Sequence, residues 1–163
     1  MLEALDPALP AHPFIALAPQ RRVRSLAAFK SGPAALEAAL GVSLPATPKR
    51  LSHQGADIIW NGPDQWLVLG ELDLPTGLAA ITAQSDGLCL LSLSGPHQIE
   101  ILKKLLPIDI ARFAPDDVAI TLAGHIGVRV WREGEHFILA CLRSYAGALH
   151  HALMQAAEHS GRG

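Results

Sequence analysis

The tripeptide Ser-Gly-Pro occurs twice in this chain, at Ser31-Gly32-Pro33 and at Ser94-Gly95-Pro96, and each time it opens a run with helical spacing. A proline suits the first turn of a helix, where an amide donor has no partner to lose, and it disfavours helix in the residue before it. After the first tripeptide comes AALEAALG, stopped by Gly41; after the second, Ile99, Leu102, Leu105 and Leu106 fall on one face. Behind the first helix, ADIIW and QWLVLG are strand-like runs joined through Asn61-Gly62-Pro63-Asp64, whose Asn-Gly and Gly-Pro pairs force a turn. Behind the second, VAITLAG and IGVRVWR join around Gly124 to Gly127. A closing helix is expected in each half, over roughly Thr76 to Gln84 and along Tyr145, Leu149, Leu153 and Ala156.

The order strand, Ser-Gly-Pro helix, hairpin, helix thus recurs, with HFILACLR an additional strand in the second half, and this recurrence reads as an internal duplication. LCLLSL and FILACL are apolar on both faces, so they must be central strands covered on both sides or lying at an interface. The expected class is α+β: mainly antiparallel sheets with packed helices, in two related strand-helix-hairpin-helix halves. At 163 residues the chain is long enough for one domain with a proper core. The plan is an extended Pro-rich arm over residues 1–20, a domain over 21–158 with halves of about 21–85 and 86–158, and a tail over 159–163. The arm carries Pro7, Pro10, Pro13 and Pro19 among Leu2, Leu5, Leu9, Phe14, Ile15 and Leu17, so it lies on something apolar, either its own domain or a partner.

Composition decides what surrounds this fold. Half of the residues are hydrophobic, 17% are charged and the mean hydropathy is +0.26. Too few charges to coat a monomer imply that another protein covers part of the surface, and that the chain associates with itself when alone. The formal net charge of -2, with no basic cluster beyond Arg21, Arg22 and Arg24, excludes nucleic acid as a partner. Cys89 and Cys141 sit in apolar stretches, which argues against a disulfide framework or a thiolate metal site. The start of the chain is acidic and lacks a basic region before an apolar run, and no apolar run reaches the roughly 18 residues of a membrane span. The expected location is therefore cytoplasmic, with no membrane.

The motifs of nucleotide and simple hydrolase chemistry, GxGxxG, GxxxxGK, GxSxG and HExxH, do not occur. Of eight histidines only His150 and His151 are neighbours, and adjacent helical residues point about 100° apart, so the pair reads as a solvated helix end rather than a chelate. Asp116-Asp117 follows Pro115 before a strand and reads as a turn. Two features remain. Trp60 and Trp66 flank a constrained turn, where indoles suit stacking, an interface or a cross-strand pair within the hairpin. Arg143-Ser144-Tyr145 joins the last strand to the last helix, where Ser144 is placed to cap the helix and Arg143 to bind a carboxylate.

WNGPDQWLVLG, ITAQSDG, LSLSGP, LPIDI and CLRSYAGALHHAL, in that order, resemble the gamma subunit of heterotetrameric sarcosine oxidase, from about Leu26 to Ala157. Trp60, Gly62, Pro63, Asp64 and Trp66 match its hairpin motif, Ser94, Gly95 and Pro96 its helix start, Asp109 the acid of a CPLDL-like motif, and Arg143 and Ser144 its closing Arg-Ser. The resemblance implies a non-catalytic accessory chain with a fold similar to the aminomethyltransferase T-protein. It works beside alpha, beta and delta subunits in a complex that demethylates sarcosine to glycine, makes hydrogen peroxide and passes the one-carbon unit to tetrahydrofolate. FAD, FMN, NAD and zinc are then held by other chains, with no cofactor, metal or catalytic residue on this one. Trp60, Asp64, Trp66, Arg143 and Tyr145 are the expected contacts with a partner or ligand. The alternative is a free-standing folate-binding or folate-dependent aminomethyltransferase-like protein. Ala83 stands where the family often has Asp, and Leu106 replaces a frequent Cys; loss of the carboxylate weakens the folate reading more, because a pterin needs a charged hydrogen-bond partner.

Overall fold

In a computed structural model residues 7–160 are described, and the expectations for Leu2, Leu5 and residues 161–163 lie outside them. The class is α+β, with two five-stranded antiparallel sheets and three α-helices. The strands are β1 (Ile15–Leu17), β2 (Val23–Ala28), β3 (Arg50–His53), β4 (Ala56–Trp60), β5 (Gln65–Leu69), β6 (Ala79–Ala83), β7 (Leu88–Leu93), β8 (Val118–Ala123), β9 (Ile126–Glu133) and β10 (His136–Leu142). The helices are α1 (Ala34–Leu40), α2 (Gln98–Leu105) and α3 (Ala146–Ser160). No helix among the described residues is long and apolar enough to cross a membrane.

Gln20–Ser85 forms one compact unit, and the described residues on either side of it form the other. The smaller, inner unit holds the sheet β3-β4-β5-β2-β6; the larger holds β1-β7-β10-β9-β8. Written from the meander outward, the two orders are the same. A first strand (β2 or β7) leads to a Ser-Gly-Pro helix and then to a three-stranded meander whose last strand returns to pair with the first. The flanking strands are exchanged. β1, which precedes β2 in the chain, pairs with β7, while β6, which precedes β7, pairs with β2.

This topology corrects the sequence reading at three points. Thr76 to Gln84 is no helix: Ala79–Ala83 is the edge strand β6, because pairing with β2 overrides the helical preference of its alanines. HFILACLR is not an additional strand, because the first half has a third meander strand too, β3, which is short and polar. In order, ADIIW therefore corresponds to IGVRVWR, not to VAITLAG. Ile15–Leu17 of the extended arm joins the larger sheet as β1, and α3 runs on to Ser160, into the expected tail.

The core of the larger unit is one face of its sheet, with Cys89, Leu91 and Leu93 of β7, Phe137, Leu139 and Cys141 of β10 and Val128 and Val130 of β9. Ile101 and Leu102 of α2 and Leu149 and Leu153 of α3 cover it. Ala146, Leu149, His150, Leu153 and Ala156 are the buried stripe of α3, at the helical spacing that binds a helix to a sheet. The reverse face of the central strands is buried as well, at Ile138, Ala140 and Trp131, which accounts for runs apolar on both sides. The smaller unit packs Leu26, Ile58, Trp66 and Val68 against Leu36 and Leu40 of α1, with Leu44 and Leu72 from the loops completing the cover. Gly41 ends α1 in the left-handed region at φ 71° and donates its N–H to the Glu37 carbonyl.

Candidate functional site

The tryptophan hairpin is built as expected and used differently. Trp60 and Trp66 are register partners across β4 and β5, and the turn closes with Asn61 N–H donating to the Gln65 carbonyl and Gln65 N–H to that of Gly62. Gly62 and Asp64 take positive φ, 128° and 55°, which the short polar Asp tolerates. The Asp64 carbonyl accepts from Ala28 N–H, while Pro63 and the Asp64 side chain are exposed. Trp66 is only 2% exposed, and its indole N–H donates to the Pro45 carbonyl at 2.8 Å. It is a core anchor, because β5 turns it toward α1; a role for it at a partner contact is overturned by its burial. Trp60 is half-buried against the same core.

At the other motif the guanidinium of Arg143 is turned onto backbone. Nε donates to the Asp86 carbonyl at 3.0 Å and Nη2 to that of Leu88 at 3.2 Å, while the Arg143 N–H donates to the Gly87 carbonyl. Arg143 thus staples the start of β7 to the end of β10. Ser144 lies in the middle of a 3-10 turn, Arg143–Tyr145, rather than at a helix cap. Tyr145 stands 49% exposed beside Leu142 at 54%, so of the five expected contact residues it keeps the most open ring.

The two Ser-Gly-Pro motifs share a backbone: Gly32 and Gly95 have φ of 86° and 92°. They differ in surroundings. A Cβ on Gly32 would meet nothing within 4 Å, whereas one on Gly95 would lie 2.6 Å from the Phe14 ring. Ser94 N–H also donates to the Phe14 carbonyl, so this motif ties the arm to β7. Pro33 occupies the cap position directly before α1, and exposed Pro96 precedes the His97 cap of α2. Asp109 caps a 3-10 turn and makes an exposed ion pair with Arg112 at 3.3 Å, an interaction worth little in water. Asp117 accepts from Ala114 N–H across its turn, as read from sequence.

Three polar features escaped the sequence reading. His150 is no solvated helix end: it is 2% exposed, and burial first, then His12, pushes its pKa down, with His151 adding to this and a hydrogen bond to Pro10 backbone opposing it. Asp57 of β4 holds a charge network on the smaller sheet, accepting from Arg21 and Arg50 at 2.9 Å each and from Ser52 at 2.7 Å. Arg24 is 7% exposed and lines an open groove with Arg22, Gln54, Glu71 and Asp73. The signal for the groove was the i, i+2 spacing of Arg22 with Arg24 and of Glu71 with Asp73, which puts each pair on one side of an extended strand.

Among the described residues no three His, Cys, Asp or Glu side chains cluster to hold a metal ion. The groove has no aromatic wall for a pterin, and Ala83 on β6 offers no carboxylate, so these residues do not fit folate. Cys89 and Cys141 face each other in register across β7 and β10, both buried. Burial pushes the Cys141 thiol up to about 12, and Cys89 adds to this while Arg143 opposes it, so no thiolate nucleophile forms there near neutral pH.

No protein-family model and no curated protein matches the sequence. Among solved structures the fold is similar to that of a chain in heterotetrameric sarcosine oxidase from Corynebacterium sp. U-96 in complex with pyrrole 2-carboxylate. The TM-score is 0.78 at 23% identity, over 91% of this chain and 85% of that chain.

Proposed function

We propose that the chain is a gamma-type, non-catalytic accessory subunit of a cytoplasmic heterotetrameric sarcosine oxidase, with alpha, beta and delta subunits as its partners. The observation that carries this reading is the likeness of fold to a chain of such an assembly along nearly the whole length of both. The ordered motifs from WNGPDQW to CLRSYAG add sequence detail that a shared fold alone does not require. In this reading the complex oxidises sarcosine to glycine and passes the one-carbon unit to tetrahydrofolate, and the flavins FAD and FMN, NAD and zinc belong to the other chains. The T-protein-like character of the fold belongs to the same reading. The polar side chains of its motifs support a scaffolding role: Arg143 and the Trp66 indole donate to backbone carbonyls. Half-exposed Tyr145 is the leading contact residue, and the sparse charge of the chain suits an interface.

Coexpression with alpha, beta and delta chains tests this. The chain is expected to copurify in equal stoichiometry, and alone to show neither flavin absorbance near roughly 450 nm nor peroxide formation from sarcosine. Failure to enter the complex, or activity of the isolated chain, would overturn the proposal.

A further inference from the structure

Arg24 is placed where a charge needs a reason. β2 points it to the same side of the sheet as Leu26, into the end of the smaller unit's core, and burial lowers its pKa, with Arg22 adding to this while Glu71 and Asp73 oppose it. Nη2 donates to the Leu72 carbonyl at 2.7 Å and reaches that of Gly70 at 3.5 Å. Nε, also buried, has no acceptor among the described residues. A guanidinium carries five donors in a fixed fork, and leaving one unanswered out of water is costly.

The groove around it is chemically two-sided. Arg22 and Arg24 supply two cations, Glu71 and Asp73 two anions, and Gln54 adds an amide that both donates and accepts. The Arg22–Glu71 pair is 3.2 Å long and exposed, so it opens at little cost. A phosphate dianion would meet two carboxylates, and a simple cation two guanidiniums. A small molecule bearing both charges a few bonds apart meets complementary groups at each end, because a carboxylate matches the guanidinium fork and an ammonium matches carboxylates. We propose that this groove binds a small zwitterionic α-amino acid, its carboxylate held by Arg22 and Arg24 and its ammonium directed to Glu71 and Asp73. The inference does not depend on the subunit reading, since it concerns the chain by itself.

Amide and arginine Nε resonances of the isolated chain, titrated with glycine, acetate and methylammonium, provide the test. Glycine is expected to give saturable shifts at Arg24 Nε and along residues 70–74 in the millimolar range, with acetate and methylammonium at least about tenfold weaker. Arg24→Gln is expected to abolish the response; because that variant removes a buried anchor, exposed Arg22→Gln serves as the folded control and should weaken glycine binding. The double variant Glu71→Gln, Asp73→Asn should weaken glycine and strengthen acetate, a crossover that a merely structural Arg24 would not produce. Absence of saturable shifts with glycine, an equal response to acetate, or no crossover in the double variant would each overturn the proposal.

Discussion

The two units keep one strand order under different covers. The larger sheet is roofed by α2 and by the 15 residues of α3, with a continuous apolar stripe, whereas the smaller has only the 7 residues of α1 and the loop side chains Leu44 and Leu72. Among the described residues each unit nonetheless buries one polar side chain, Arg24 in the smaller and His150 in the larger. The edges differ as well. β3 presents Arg50, Ser52 and His53 at its edge, while β8, in the corresponding position, has no charged residue and exposes Ile120 and Leu122. Edge strands are ordinarily protected by charge. Strand order is therefore tolerant of what covers a sheet and of how its edge is protected.

The largest effect is expected where the thin cover depends on one ring. Trp66→Ala removes an indole from the core beside Leu26 and α1 and leaves the Pro45 carbonyl without its donor. Loss of about 3–5 kcal/mol is expected from urea unfolding. Trp60→Ala, on the half-buried partner, should cost less than half as much. Equal losses for the two would mean that the hairpin pair, rather than the α1 core, is what Trp66 supports.

A smaller effect separates the two Ser-Gly-Pro motifs. Gly32→Ala introduces a Cβ at φ 86° into open space, for a backbone cost of about 1–2 kcal/mol. Gly95→Ala carries that cost at φ 92° and also forces the Phe14 ring away, and overpacking of this kind adds about 1–3 kcal/mol. Hydrogen exchange should quicken at residues 15–17 in Gly95→Ala and stay unchanged there in Gly32→Ala. If both variants behave alike, the Phe14 contact has no energetic part in holding β1.

How much of this was legible depended on the distance over which each signal acts. Pro33, Gly41 and the Asn61–Asp64 turn act within a few residues, and α1, α2 and the β4–β5 hairpin were read correctly from them. The doubly apolar β7 and β10 announced themselves as central. The exchange of β1 and β6 was invisible, since nothing near Ile15 or Ala79 names its distant partner. β3 was missed because Arg50, Ser52 and His53 leave no apolar alternation, and β6 was misread because isolated alanines favour helix. At the site, the types of Trp66 and Arg143 were seen but not their directions, which are set by how β5 faces α1 and β10 meets β7. Arg24 escaped notice and His150 was misjudged because burial is a property of the assembled fold and not of the residue.

Acid offers the gentlest way to set the units apart, because the buried histidine belongs to the larger one alone. His150 on α3 is held below the ordinary histidine range by burial and by His12 of the arm and His151 of its own helix, against the opposing Pro10 contact. With a folded pKa below the unfolded value near 6.5, the neutral ring favours the folded state at higher pH. As pH falls below about 6.5 the unfolded chain takes up the proton first, so the contribution shrinks until pH passes the folded pKa, and below that it is constant. Once the slower intrinsic exchange in acid is divided out, the protection factors of α3 and β1 are therefore expected to fall from pH 7 to roughly pH 5 before those of β4 and β5 do. His150→Gln, which cannot take up a proton in this range, should remove the difference in slope whatever it does to stability at neutral pH. A wild-type chain whose two sheets lose protection in parallel over this range, or a His150→Gln variant with the same acid slope, would show that some other group carries the acid response.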